Sequence, residues 1–554
     1  MEGKRQSAGR AAAELLILFL IWLAAIILIH PRGNFPTQDD WHYSWSAQQF
    51  ANTGEFHMTR YGAPSLRAQV VWGGLWIRAF GFSLEVLRAS TLFLSASTLL
   101  LINRLLAAIS VSATARWIAS LALLFNPMFL LYSCTFMTEI PFVFTCVVTY
   151  AFLAAGIERD RPALVALGTA MAVVSCFIRQ TGAMNIAATG LLLLAFRDRI
   201  SRRWIAHGTP LLAGVGVLGI VAIFRREWLA GSLRELSQHY QMWYQSTFGL
   251  FEQITTAYHY LCFQATNSAL FFLALAAPLV LLIRKPFTQG RTILLGVVII
   301  VFAARAVALI ADGLTMPFSN AAYRSDVNIG QTFNDLGVGP LTLTTAGAVI
   351  GPIHLRTEAK AGLTLVASVL GAVLLWSLAV WLPGIVTDPR RNIRPLLATS
   401  FVVCGTCALI LSAFYFDRYS LDSAWALVLV LPLLVPWQSR GARLIAVAAL
   451  ALTAWFSVTG VHDYFAWNRA RWQAYASLRT RGIPADQIDG GFETIGWEEL
   501  VRNPAGVKWP APGRRPYAIL YRPTPGTVVI GSVPYRRWLG LWNDQVHIVR
   551  RTET

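Results

Sequence analysis

Apolar runs of about 15–20 residues recur along the chain, each near the length that crosses the hydrocarbon core of a bilayer as a helix. They fall at residues 11–29, 86–106, 117–134, 140–157, 164–178, 182–196, 211–224, 269–283, 293–311, 363–382, 396–414, 424–436 and 444–460. The pattern predicts an all-α polytopic membrane protein with about thirteen transmembrane helices. Several of the runs are short and need their flanking residues to span. Lys4, Arg5 and Arg10 precede the first run, which is long and lacks a small-residue cleavage signal, so it reads as an uncleaved first helix.

The polar segments between the runs are of two kinds. With the N-terminus in the cytoplasm, the short inner connections carry Arg104 and Arg116, then Arg159 and Arg161, then Arg197, Arg199, Arg202 and Arg203. Later ones carry Arg284, Lys285 and Arg291, then Arg390, Arg391 and Arg394, then Arg440 and Arg443. Basic inner loops are what orients a membrane protein. Three long segments, residues 30–85, 225–267 and 312–361, fall on the outer side. Long loops without repeats or low complexity are usually functional.

The tail reads as an exoplasmic domain of its own, residues 461–554, behind a transmembrane domain of residues 1–460. It opens on HDYFAWNRARWQAYASLRTRG, a helix ending at Gly482, and later YAILY and TVVIGSVPY read as strands. A small C-terminal α+β soluble domain follows. Gly490-Gly491-Phe492-Glu493 reads as a turn, and no segment of the tail matches a catalytic motif.

Composition agrees with a membrane protein. Of 554 residues, 55% are hydrophobic and only 13% charged, and the mean hydropathy is +0.52; soluble cores of this length do not hold so much apolar sequence. The net charge of +18 sits in short loops rather than on a basic face with interleaved aromatics, which excludes nucleic acid as a partner and leaves membrane lipids. Cys404 and Cys407 have metal-ligand spacing, but they lie in an apolar run with no second pair, and read as small buried hydrophobes.

The candidate chemistry starts in PTQDDWHYSWSAQQFANTG, residues 36–54, just past the first helix. Residues 41–52 have helical character and stop at Gly54. Trp41 and Trp45, four apart, share one face, as in a helix lying on the membrane surface with its aromatics at headgroup depth. Either Asp39 or Asp40 could cap that helix; capping needs one aspartate and there are two. Glu139, in FMTEIPF, falls at an outer helix end. There it is either a favourable charge at a helix start before Pro141 or a functional acid. Arg179 in CFIRQTG, Arg305 inside the 293–311 run and Arg418 in FDRYSLD depart from the basic-inside pattern. Each must snorkel, pair with an acid or bind an anion.

Acids and arginines gathered at one face suit a reaction between an anionic lipid and a hydroxyl. In a sugar carried on a polyprenyl phosphate, the leaving group is already an anion that arginines can hold. The acceptor hydroxyl needs a base, which a carboxylate supplies. One base and no covalent nucleophile implies inversion at the anomeric carbon.

These pieces resemble a known family. PTQDDWHYSWSAQQFANTGEF, FGFSLEVLRAST, FMTEIPF, IRQTG and DRYSL are similar to the membrane-embedded polyprenyl-phosphate-dependent glycosyltransferases of the C-type fold. The nearest likeness is to the family-39-like group of protein O-mannosyltransferases and aminoarabinose transferases. The resemblance covers residues 11 to about 436. It implies Asp39 as catalytic base, Asp40 in the neighbouring acidic position, and Glu139 in the family's second acidic position, which is often Asp. It places Arg179 and Arg418 near the lipid phosphate; Arg305 has no counterpart motif and stays a donor-phosphate candidate from its charge alone. It further implies a bacterial inner membrane and cell-envelope setting, and a lipid, glycan or protein acceptor. Some members bind a divalent metal near the first loop, for which His42 and His57 are the candidates. The competing class is a lipid or solute transporter or flippase, which would show inverted repeats and helices broken by Gly or Pro in matching halves; no such symmetry is visible.

Overall fold

The computed structural model describes residues 2–59, 65–197, 203–225, 228, 250–284, 288–313, 315–316, 333–334, 337–340, 342–343, 356–410, 415–503 and 515–552. Most of the second and third long outer segments therefore lie outside the described residues. In chain order the helices are α1 (Glu2–Ile29), α2 (Asp40–Thr53), α3 (Arg67–Phe80), α4 (Leu84–Ala108), α5 (Ala113–Leu124) and α6 (Pro127–Ser133). Then come α7 (Glu139–Glu158), α8 (Pro162–Cys176), α9 (Ala183–Ala195), α10 (Trp204–Phe224), α11 (Leu250–Phe271) and α12 (Leu273–Ala276). The last six are α13 (Gln289–Ala311), α14 (Thr357–Val386), α15 (Ile393–Ile410), α16 (Leu421–Leu434), α17 (Arg440–Thr480) and α18 (Phe492–Arg502).

Each apolar run overlaps a helix, but fewer are long enough to span than expected. Among the described residues seven helices have the length and apolarity to cross a membrane, or up to nine if two bent pairs each count as one span. The difference from about thirteen has local causes. The run at 117–134 breaks between α5 and α6 with a 57° bend. There Asn126 accepts hydrogen bonds from the amides of Met128 and Phe129, and Pro127 takes the first helical position, so a new helix must start. A second pair, Ala257–Phe271 and Leu273–Ile283, bends by 91°. Pro162–Cys176, Gln180–Ala195 and Ile393–Leu409 are apolar helices of 10–17 residues, short of a full span.

Helix α16 forms the centre of the bundle and is buried along almost its whole length, against α5, α7 and α15. Small polar side chains link the helices around it. The Trp22 indole N–H donates to Ser95 Oγ at 3.3 Å, Ser95 and Ser133 share a bond of 2.7 Å, and Asn103 donates to Ser120 at 3.1 Å. Between helices in lipid, such bonds supply adhesion that hydrophobicity cannot.

Helix α17 has 41 residues and so extends about 60 Å, roughly twice a bilayer's hydrocarbon thickness. Its first half is apolar; its second half is the post around which the C-terminal residues wrap. The expected boundary at 460/461 falls inside this one helix. A change of polarity there marks where the rod leaves the apolar zone, not where it ends. It closes at Gly482 (φ +80), as the sequence indicates. The strands β1 (Phe333–Asn334) and β2 (Gly337–Val338) form a short antiparallel pair, with β2 beside it. The strands β3 (Ile488–Asp489), β4 (Tyr517–Leu520), β5 (Thr527–Arg536) and β6 (Asn543–Arg551) form a sheet of order β3-β4-β6-β5, antiparallel except for β3 with β4. Asp463 on α17 anchors this sheet by accepting the amides of Trp538 at 2.7 Å and Leu539 at 2.9 Å, and His462 stacks on Trp538 at 3.8 Å.

The segment joining α1 to α2 is gathered by a buried arginine. Arg88 on α4 donates to the carbonyls of Pro31, Gly33 and Phe35 at 2.6, 3.1 and 3.2 Å. Three carbonyls on one planar cation fix the path of the chain that delivers the two aspartates.

Candidate active site

The aspartate pair divides its labour. Asp40 turns inward: its carboxylate accepts the Thr37 amide at 2.6 Å and the Thr37 hydroxyl at 2.9 Å, with a longer contact of 3.4 Å from the Phe136 amide. Burial pushes its carboxyl up to about 7, against the pull of Arg88 and of these hydrogen bonds. Asp40, expected beside Asp39 in the acidic pair, is buried where Asp39 is partly exposed. It ties a turn together.

Asp39 occupies the cap position of α2 without capping it. Its backbone (φ −77, ψ −2) is helical, and its side chain accepts no capping hydrogen bond. A capping aspartate needs extended backbone to swing its oxygen over the next amides. The carboxylate instead points outward, 29% exposed, with Arg418 Nη1 and Nη2 each 3.4 Å from Oδ2.

Arg418 leads into a cluster. It sits on a 3-10 turn, Asp417–Ser420, directly before α16, over the ring of Phe416 at 4.9 Å. Its Nε lies 3.6 Å from Glu139 Oε1. Burial opposes its charge, but Glu139 and then Asp39 hold the guanidinium firmly in its charged form. Glu139 opens α7 and is 1% exposed; Arg179 Nη1 donates to it at 3.1 Å. Its Oε2 has no hydrogen-bond partner among the described residues. Arg179 stands in the turn after α8, over the Tyr419 ring at 5.0 Å, and its Nε is 3.7 Å from Asp422. Asp422, at the start of α16, also accepts the Thr181 hydroxyl at 3.2 Å.

The result is an alternating row, Asp39–Arg418–Glu139–Arg179–Asp422, drawn from four separate places in the chain. Three helices, α2, α7 and α16, begin here, and helix N-termini favour negative charge. The row holds two arginines in fixed, partly desolvated positions among acids, with one carboxylate at its exposed end. Such a site can hold an anion and remove a proton next to it.

The row joins four of the six expected residues: Asp39, Glu139, Arg179 and Arg418. Asp40 borders it as a support. Arg305 stands apart on α13, half-buried, 5.8 Å over the Phe263 ring, with no ion pair or hydrogen bond to the row among the described residues. Asp422 was missed, although it stands only four positions after Arg418.

The metal candidates do not fit a metal. His42 is buried, its Nδ1 3.0 Å from the Thr59 hydroxyl, and burial lowers its imidazole to about 4. His57 is exposed beside Glu55 at 3.7 Å. Among the described residues no three His, Cys, Asp or Glu side chains gather where one ion could be held.

The surface helix also differs from expectation. Trp41 and Trp45 are covered by protein, not by lipid headgroups: they pack with Leu500, Phe492 and Trp497 of α18. Periodicity reveals an apolar face but not what covers it.

No family model matches the chain, and no curated protein is similar to it. Two solved structures align over 98% of the chain at 12% identity. They are ArnT from Cupriavidus metallidurans in the apo state (99% of that chain, TM-score 0.40) and ArnT from the same organism bound to undecaprenyl phosphate (98%, TM-score 0.38). Likeness at that level carries no weight for this chain's chemistry.

Proposed function

We propose that this chain is an integral-membrane, inverting glycosyltransferase that moves a sugar from a polyprenyl-phosphate donor to an acceptor hydroxyl. Its site lies on the exoplasmic face, the periplasmic one in a bacterial inner membrane, together with the C-terminal residues from 461 onward. The observation that carries the reading is the pairing of an uncapped, outward-facing Asp39 with an arginine row at the start of three helices.

In this reading the acceptor oxygen attacks the anomeric carbon and the bond from that carbon to the phosphate oxygen breaks. The polyprenyl phosphate leaves as an anion, and the acceptor proton passes to Asp39. One displacement inverts the anomeric centre. Arg179 and Arg418 hold the phosphate and stabilise its growing charge. Glu139 and Asp422 keep both guanidinium groups in place. Asp40 and Thr37 hold the turn that presents Asp39.

The row carries three acids and two arginines, and the helix N-termini supply the remaining attraction for an anion.

Tritiated mannose, glucose, galactose and arabinose on polyprenyl phosphate, offered to membranes that hold the protein and its native acceptors, test the proposal. The expected result is transfer of one sugar with inverted anomeric configuration. Retention of configuration refutes the single displacement. Movement of lipid or solute across the bilayer without sugar transfer supports the transporter reading instead.

A further inference from the structure

The C-terminal residues reach the backbone beside Asp39 through a buried side chain. Glu493, the second residue of α18, is fully buried, and its Oε1 accepts the amide of Gln38 at 2.8 Å. Gln38 is the residue directly before Asp39, and it stands in the left-handed region at φ +55. A residue with a side chain adopts that conformation only when its surroundings hold it there.

The holding group is itself rigid. Glu493 Oε2 pairs with Arg471 Nη1 at 2.9 Å, both side chains wholly buried. Arg471 rises from α17, donates to Thr342 Oγ1 at 2.8 Å and lies over the Trp467 ring at 4.9 Å. The Phe492 amide donates to the Thr342 carbonyl at 2.8 Å. The body of α18 is seated directly on α2: Phe492 meets the edge of Trp41 with ring centres 6.0 Å apart. Gly496 lies so close that a Cβ there would come within 2.7 Å of Trp41 Cε2.

We propose that Glu493 is a positioning residue: by holding the Gln38 amide it fixes a left-handed turn that keeps Asp39 in helical backbone, so that its carboxylate cannot cap α2 and faces Arg418. The proposal rests on the reading of Asp39 as base and adds to it. Without the turn, Gln38 relaxes to ordinary backbone and Asp39 gains the extended conformation of a normal cap. Its oxygen then bonds the free amides of α2 and leaves the acceptor. The soluble end of the chain thus sets the geometry of a reaction carried out in the first loop.

The test uses the full-length protein in nanodiscs, with the sugar-polyprenyl-phosphate that proves to be the substrate. Active sites are counted by binding of sugar-free polyprenyl phosphate. Glu493→Ala removes the oxygen that accepts the Gln38 amide together with the pairing charge. Should it fail to fold, Gly496→Ala wedges α18 away from Trp41 with the ion pair intact. The expected result for either is kcat per binding site reduced about tenfold, the scale of a competing cap, with donor KM within about twofold. Adding Gln38→Gly, which takes the left-handed turn without strain, should restore at least half of the loss. An unchanged kcat per site overturns the proposal. So does a fall in donor binding equal to the fall in kcat, or no recovery with glycine at 38, since each marks a general scaffold. Asp39→Asn separates the two levels: if it keeps full transfer, the base assignment has failed. If it abolishes transfer while the Glu493 and Gly496 variants are normal, only the positioning role has failed.

Discussion

Replacing Arg471 by methionine leaves the Glu493 carboxylate wholly buried with its cation gone. The pair is 2.9 Å long with no exposed side-chain surface on either partner, and each member is further tied, Arg471 to Thr342 and Glu493 to Gln38. Removing one partner of such a pair costs about 3–5 kcal/mol, because the remaining charge keeps its desolvation penalty. Removing both charges costs far less, since the penalty vanishes with the attraction. The double variant Arg471→Met/Glu493→Gln should thus be more stable than Arg471→Met alone. The assay is the temperature at which detergent-purified protein loses its monodisperse peak. For a chain of this size, with about 2.1 cal/mol/K of unfolding entropy per residue, the single variant should fall by roughly 2–5 °C, and the double should recover more than half of that. Additive losses, with the double below both singles, would show that the two charges are uncoupled and refute the account of how α18 is held on α17.

Further outcomes follow from the same geometry. Asp40 titrates at about 7 because it is buried, above the ordinary aspartate value near 3.9. Its contribution to stability is therefore full below about pH 4 and is lost as the pH rises through 7. Asp40→Asn should remove that slope from a melting series between pH 4 and 8, and an unchanged slope would contradict it. Arg179→Ala should weaken binding of polyprenyl phosphate about tenfold or more, read by titration in nanodiscs; wild-type affinity would take Arg179 out of the phosphate site. Arg305→Ala, on a helix apart from the row, should leave sugar transfer within about twofold of wild type in the same membranes, and a larger loss would bring Arg305 back into the site.

What could be read from sequence divides along physical lines. The apolar helices were visible because apolar runs near bilayer length have few other uses, though seven to nine rather than about thirteen are long enough to span among the described residues; the strands of the tail were visible because YAILY and TVVIGSVPY carry strand residues. Asp39, Glu139, Arg179 and Arg418 stood out because charge at an apolar boundary needs a partner. The partnership itself was hidden, since α7 and α16 begin nearly 300 residues apart, roughly half the chain. Asp422 escaped notice although it stands only four positions after Arg418. Glu493 looked like part of a turn; its two partners lie 22 and 455 positions away, and no local signal marks either. Trp41 and Trp45 showed an apolar face and could not show that α18, not lipid, covers it. The two aspartates were alike in sequence, and only their partners in the fold, Thr37 for Asp40 and Arg418 for Asp39, tell them apart.

The most direct measurement is transfer of labelled sugar from polyprenyl phosphate by Asp39→Asn, with donor binding measured on the same preparation. The substitution keeps the shape of the side chain and removes its ability to take a proton. The account predicts transfer reduced by about 100-fold or more, in the range of a lost general base, with donor bound as in wild type and the protein inserted normally. Transfer at the wild-type rate would contradict it.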